Sequence, residues 1–187
     1  MKTPPFTLMT TGKERLPKNL EFPVIVKPIA ESSSKGIGMT SVVENEDELR
    51  KLVSEIIVKY RQAVIVEEFL PGREFTIALI GEKRPRALPP MEVIFTNEEQ
   101  KYPIYSFDNR FVENDIKYEV PAKVDAQLKK ELERISKGVF MVLGCRDLAR
   151  VDLRLDKNGI VNFMECNPLP SMIPGYSDFC MIADAAG

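Results

Sequence analysis

The chain has 187 residues, 44% hydrophobic and 29% charged, a balance that excludes disordered and fibrous classes and allows one sizeable core or two small ones. Lys and Arg number 26 against 28 Asp and Glu, a formal charge of -2, so no overall basic field points to nucleic acid. Histidine is absent, which excludes histidine triads, histidine metal ligands and a histidine general base.

No apolar run reaches the roughly 18 residues of a membrane span, and Met1 to Leu8 carries two prolines without an apolar leader core. Membrane insertion and secretion are therefore not expected, and a cytoplasmic location is. Cys145, Cys166 and Cys180 are odd in number and too widely spaced for a CxxC site. They suit a reducing compartment, with burial as the plain reading of each.

The first predicted element is a short strand, Phe6 to Met9. A β-branched run then predicts a strand over Pro23 to Ile29, followed by a polar loop, Glu31 to Gly38, and a return strand, Met39 to Val43. Asn45 with Glu48 three residues on is a helix start, and Leu49, Leu52, Val53, Ile56, Ile57 and Tyr60 keep one apolar face to about residue 60. Strand Ala63 to Phe69 ends at Pro71-Gly72, and strand Glu74 to Ile80 follows.

Further strands are expected near Arg86 to Ile94, then a long irregular stretch, Phe95 to Pro121, rich in Tyr and Phe. Leu128, Leu132, Ile135, Val139 and Val142 predict a helix from about Asp125 to Leu143, ended by Gly144. Ala149 to Asp156 and Ile160 to Glu165 flank Asn158-Gly159, a hairpin signal. A last helix starts near Ser177 and stops almost at once. The two halves read as subdomains 1–70 and 71–187.

A two-residue type I′ turn at Asn158-Gly159 would pair Lys157 with Ile160, Asp152 with Glu165 and Arg150 with Asn167. Strand alternation then puts Arg150, Asp152 and Arg154 on the face of Phe163, Glu165 and Asn167. Two carboxylates and an amide oxygen, without histidine or paired cysteine, form a hard donor set suited to Mg2+. Arg150 on the same face could steady a negative oxygen beside the metal. The plain alternative is a hairpin face that is merely charged.

Lys27 interrupts an apolar strand, so it either reaches solvent at the strand end or meets an anion. Beyond it, Ser32-Ser33-Ser34-Lys35-Gly36-Ile37-Gly38 has the hydroxyls, glycines and backbone N–H groups that wrap a phosphate chain, although such a run is often just a turn. It has neither P-loop nor dinucleotide-fingerprint spacing. Glu67-Glu68-Phe69-Leu70, followed by Glu74, offers a peptide edge for a purine and a carboxylate for ribose hydroxyls. Its plain reading is an acidic linker.

In order, Phe22-Pro23-Val24-Ile25-Val26-Lys27-Pro28, the Glu31 to Gly38 loop, Val66-Glu67-Glu68-Phe69-Leu70 with Glu74, Ala149-Arg150-Val151-Asp152 and Met164-Glu165-Cys166-Asn167-Pro168 resemble the ATP-grasp superfamily, closest to D-alanine–D-alanine ligase and its relatives. The resemblance covers nearly all of residues 20–175. It implies an α+β fold in which two subdomains with mainly antiparallel sheets clamp a nucleotide. It also implies ATP and Mg2+ as cofactors, with Lys27, Ser33, Ser34 and Gly36 at the phosphates. Glu67, Glu68, Phe69 and Leu70 would lie at the adenine, Glu74 at the ribose, and Asp152, Glu165 and Asn167 at the metal. Arg150 would steady the reacting acyl group.

The implied reaction joins a carboxylate to an amine: ATP converts the carboxylate to an acyl phosphate, which the amine attacks. Phe111, where relatives typically have a loop tyrosine, and Ser177, nearest their acceptor-binding serine, join Arg150 as catalytic candidates. The substrates implied are small amino or hydroxy acids, and a homodimer is the assembly implied for a full-length form. The family's N-terminal domain and a further ATP-contacting lysine have no match here. A truncated, catalytically inactive ATP- and Mg2+-binding domain is therefore the alternative to a working ligase core.

Overall fold

The computed structural model describes residues 1–31, 34–105 and 115–187. Among them the chain divides into two compact units. One comprises Pro4–Pro71 and Phe95–Ile116, the other Met1–Thr3, Gly72–Ile94 and Lys117–Gly187. The described residues 95–105 thus cluster with the N-terminal part of the chain. No helix among the described residues is long and apolar enough to cross a membrane.

The unit built on Pro4–Pro71 contains strands β1 (Phe6–Met9), β2 (Val24–Pro28), β3 (Val42–Val43) and β4 (Val64–Glu68), in sheet order β1–β4–β2–β3 with antiparallel neighbours. Helix α1 (Glu46–Tyr60) begins where the sequence places it: the Asn45 side chain accepts the Glu48 N–H at 3.0 Å. Glu48 reciprocates less directly than a capping box requires, accepting from the Glu44 N–H and the Asn45 side-chain amide. Leu49, Val53 and Ile56 of α1 pack on Val24, Val26, Val64 and Val66. Alternation therefore turns Ile25, Lys27, Ile65 and Glu67 to the opposite face. The expected return strand at 39–43 is mostly a 3-10 turn, Met39–Ser41, leaving two strand residues.

The second sheet, drawn from the other unit except for Phe95 and Ile116 at two strand ends, contains strands β5 (Glu74–Ile80), β6 (Arg86–Ala87), β7 (Met91–Phe95), β8 (Ile116–Glu119), β9 (Leu148–Leu155) and β10 (Val161–Asn167) in the order β10–β9–β5–β7–β8, with β6 also on β5. The stretch expected to be irregular from Phe95 to Pro121 therefore holds a four-residue strand, β8. Helix α2 (Ala126–Val142), capped by Asp125 and closed at Gly144 with φ +66, lies on one face. Its Leu132, Ile135, Val139 and Phe140 meet Phe75, Ile77, Val151 and Leu153. Helix α3 (Asp178–Ala186) has its own cluster, with Phe179 and Ile182 against Ala78, Leu88 and Met91. Since Ala78 alternates with Ile77 and Leu79, α3 covers part of the face opposite α2.

The β9–β10 hairpin corrects the expected turn. Its loop has three residues, Lys157 to Gly159, because Asp156 N–H donates to Ile160 O at 2.9 Å and Gly159 adopts φ +75. Val161 consequently faces Leu155, Asn162 faces Arg154 and Phe163 faces Leu153. A bulge at Met164 then moves the pairing by one, so that Glu165 faces Asp152 and Asn167 faces Arg150. Those two expected pairs occur through two offsets that cancel. Phe163 does not share the face of Arg154; Asn162 does, and Phe163 packs towards the α2 core.

Asp156 anchors this turn. Its carboxylate accepts the Asn158 and Ile160 N–H groups at 2.8 and 3.0 Å and pairs with Lys2 at 2.6 Å. Burial alone would raise the carboxyl, but the bonds from Lys2, Ile160 and Asn158 outweigh it and hold it down at about 2. A carboxyl lowered on folding stabilises above its unfolded value of 3.8 and loses that contribution as pH falls to its folded value. The stability gap between the wild type and Asp156→Asn is expected to be full at pH 5 and to close towards pH 2 in urea titrations. A gap independent of pH would remove the carboxylate from the turn's stability.

Candidate functional site

In the unit containing β9, the polar face of the sheet gathers the predicted metal-binding residues. Alternation along β9 presents Arg150, Asp152 and Arg154, and β5 adds Glu74 and Thr76 opposite Arg154 and Asp152. Arg150 Nε donates to both Asp152 oxygens at 3.0 and 3.2 Å, and Nη2 donates to Asp152 Oδ2 at 2.8 Å. Nη2 also reaches Glu165 Oε1 at 3.5 Å, while Nη1 donates to Asp178 Oδ2 at 3.1 Å. Thr76 Oγ1 donates to Asp152 Oδ1. Asn167 Nδ2 donates to Glu165 Oε1 at 2.7 Å and to Asp152 Oδ2 at 3.3 Å.

Arg150, Asp152, Glu165 and Asn167 thus form one connected cluster. Asp152 is buried, whereas the Glu165 side chain remains 60% exposed. Burial pushes the Asp152 carboxyl up, but the charge and hydrogen bonds of Arg150, together with Thr76, outweigh it and lower it. At Glu165, desolvation by the surrounding atoms and then the Asp152 charge raise the carboxyl. The two carboxylates are therefore pushed apart in acidity, as adjacent like charges require. Burial alone would lower Arg150, but Asp152 and Asp178 hold its charge firmly in place.

The expected donor set comprises two carboxylates and a primary amide, each of which carries an oxygen of the kind a hard cation prefers. Asn167 presents its amide nitrogen, not its oxygen, to the two carboxylates. No three His, Cys, Asp or Glu side chains are grouped for a metal among the described residues, and this set contains only two. Ser177, expected near the reaction, occupies the N-terminal boundary position of α3 without a side-chain capping bond and donates its hydroxyl to Ile173 O at 3.1 Å. Glu74 is buried and accepts from Arg154 Nη1 at 3.1 Å.

Two polar partners were not singled out from the sequence. Thr76 was legible, since it alternates with Glu74 on β5, but needed the β5–β9 register to reach Asp152. Asp178 had no comparable signal, because its contact with Arg150 depends on where α3 lands.

In the other unit, Lys27 forms an ion pair with Glu67, both partly buried, at 20% and 13% side-chain exposure. Lys27 lies opposite Ile65 and Glu67 opposite Ile25, so the pair is diagonal across adjacent strands. Glu68 accepts the Glu21 N–H at 2.8 Å, Phe69 meets Tyr102 edge-on at 5.2 Å, and Leu70 is buried.

Ser34 has φ +57 and donates its hydroxyl to Tyr105 O at 3.0 Å. Gly36 has φ +81, and a Cβ added there would come within 2.8 Å of Tyr60 Oη and 2.9 Å of Pro28 Cγ, so glycine is required for two reasons. Ser33 and Phe111 lie outside the described residues.

A family model described as D-ala D-ala ligase C-terminus matches residues 5–187. An uncharacterised protein of Sinorhizobium fredii is 35% identical over 186 residues, 99% of this chain and 53% of that protein. A D-alanine–D-alanine ligase of Bartonella henselae is 32% identical over 177 residues, 94% of this chain and 54% of that protein. The crystal structure of a D-alanine–D-alanine ligase from Bacillus anthracis aligns with all of this chain and 57% of its own, with a TM-score of 0.74 and 27% identity. The chain spans about half the length of the curated relatives it matches.

Proposed function

Because the chain belongs to the D-alanine–D-alanine ligase C-terminal family of the ATP-grasp superfamily, we propose that it is an ATP- and Mg2+-binding domain. The observation that carries the proposal is the convergence of Asp152, Glu165 and Asn167 on one sheet face around Arg150. Asp152 and Glu165 supply anionic oxygens and Asn167 an amide oxygen. When bound, Mg2+ neutralises charge on the phosphate oxygens that it contacts.

Lys27, Ser34 and Gly36 are proposed to bind the phosphates, as is Ser33. Glu67, Glu68, Phe69 and Leu70 are assigned to the adenine, and Glu74 to the ribose. For Lys27 this means sharing its ammonium between Glu67 and a phosphate oxygen. Arg150, held on one side by Asp152 and on the other by Asp178, is ready to meet developing negative charge without reorienting.

The chain covers about half of its relatives' length, so ligation is assigned to proteins of full family length rather than to this chain alone. A second reading, the core of a carboxylate–amine ligase that forms an acyl phosphate and acts on small amino or hydroxy acids, is favoured by Arg150 and would give Phe111 and Ser177 roles in the reaction. Calorimetric titration with ATP, in Mg2+ or in EDTA, paired with a phosphate-release assay on candidate amino and hydroxy acids, separates the readings. The expected result is saturable, Mg2+-dependent ATP binding without phosphate release. Substrate-dependent release would favour the second reading, and absence of ATP binding would sink both.

A further inference from the structure

The binding reading makes no use of the cysteines. The sulfurs of Cys145 and Cys166, 21 residues apart in the chain, lie 3.8 Å from one another. Both residues are partly exposed, and neither is disulfide-bonded. Cys145 follows the Gly144 stop of α2, where its N–H donates to Phe140 O at 3.0 Å. Cys166 lies on β10 opposite Val151, and both thiols pack against the α2 core. Alternation sends the neighbours of Cys166, Glu165 and Asn167, to the other face of the sheet. The Cys166 thiol therefore sits behind the polar cluster, on the stretch of β10 that carries Glu165 and Asn167, and Cys145 meets it from the end of α2.

We propose that Cys145 and Cys166 are a redox-active pair that closes to an intramolecular disulfide with a low-molecular-weight disulfide as oxidant, fastening β10 to the end of α2 behind the acidic cluster. One protein thiolate attacks the small disulfide, breaks its S–S bond and expels one thiolate, which takes up a proton as RSH. The second protein thiolate then displaces the remaining RS group, which leaves as a second RSH. In sum, two protein thiols lose two protons and two electrons, and the small disulfide is reduced to two thiols.

Closure shortens the separation from 3.8 Å to a bond of about 2.05 Å. The Cys166 end of this movement displaces backbone that also carries Glu165 and Asn167. The effect on the cation rests on the function proposed above: metal sites whose supporting contacts are disturbed lose about 10–100-fold in affinity. An affinity about tenfold lower in the oxidised form is expected.

The full chain is incubated with oxidised glutathione or with dithiothreitol, digested without reduction and mapped by mass spectrometry; Mn2+ and Mg2+ titrations follow on each form. A Cys145–Cys166 cross-link that persists in Cys180→Ser and disappears in Cys145→Ser supports the pair. Single glutathione adducts without the cross-link, or no reaction, overturn it. If the cross-link forms and cation affinity is unchanged, the link to the acidic cluster is overturned. If neither form binds a cation, the function reading fails, while the map still decides the thiol pair.

Discussion

Replacing Asp152 with asparagine is expected to weaken Mg2+-dependent ATP binding by about a hundredfold, roughly 2.7 kcal/mol, while binding in EDTA changes little. The substitution preserves shape but removes the anionic oxygens that Arg150, Thr76 and Asn167 now surround. Folding stability should also fall, by about 2 kcal/mol. That is less than the 3–5 kcal/mol of a wholly broken buried pair, because Arg150 keeps Asp178 and Glu165.

The pH signature follows from the directions of the two carboxyls. Asp152, lowered on folding, stabilises above the unfolded carboxyl range, and that contribution is lost as pH falls through its folded value. Glu165, raised on folding, acts in the opposite sense: its contribution is present below its unfolded value and lost as pH rises through the folded one. Asp152→Asn therefore flattens the acid limb and lets the Glu165 carboxyl titrate lower, since the partial desolvation by its neighbours remains but the adjacent charge is gone. Calorimetry and carboxyl NMR titration measure both effects. Unchanged Mg2+-dependent ATP affinity in a folded variant would remove Asp152 from the cation site.

The second large effect is expected at Glu74 and Arg154, whose side chains are 6% and 5% exposed. Arg154 bonds Glu74 at 3.1 Å and the Gly72 carbonyl at 3.1 Å. Burial lowers Arg154, and Glu74 counters that only in part. Arg154→Met, which leaves the buried carboxylate without the guanidinium, should cost about 3–5 kcal/mol, whereas Glu74→Gln/Arg154→Met should recover much of that loss. Urea denaturation would show this as a lower midpoint at constant slope. Additive losses in the double variant would mean that the two groups do not depend on each other.

Much of the architecture was readable because side-chain chemistry announces it. Asn45 and Gly144 marked helix ends, the Val24-Ile25-Val26 run located β2, Pro71-Gly72 marked the end of β4, and Asn158-Gly159 located the hairpin of β9 and β10. The Arg150-Val151-Asp152 order put both polar groups on one face. What escaped reading was written in the backbone. The three-residue loop looks like a two-residue Asn-Gly turn, and nothing about Met164 advertises a bulge, so the correct pairing of Asp152 with Glu165 was reached through two unseen offsets. Strand β8 was hidden for a related reason: Ile116-Lys117-Tyr118-Glu119 is too short to stand out from its surroundings. At the candidate site, Asp178 and the Cys145–Cys166 contact join residues far apart in sequence, which no local pattern reports.

The extra residue in β10 also makes an insertion–deletion argument available. Excising Met164 would merge the two halves of the hairpin into one uninterrupted ladder in which Asn162, Glu165 and Asn167 each retain their present opposite number. Pairing would survive, and only the local coiling of the ribbon would be lost. Such a shortened hairpin would tell whether the aim of the carboxylates is set by who faces whom or by how sharply the strand bends.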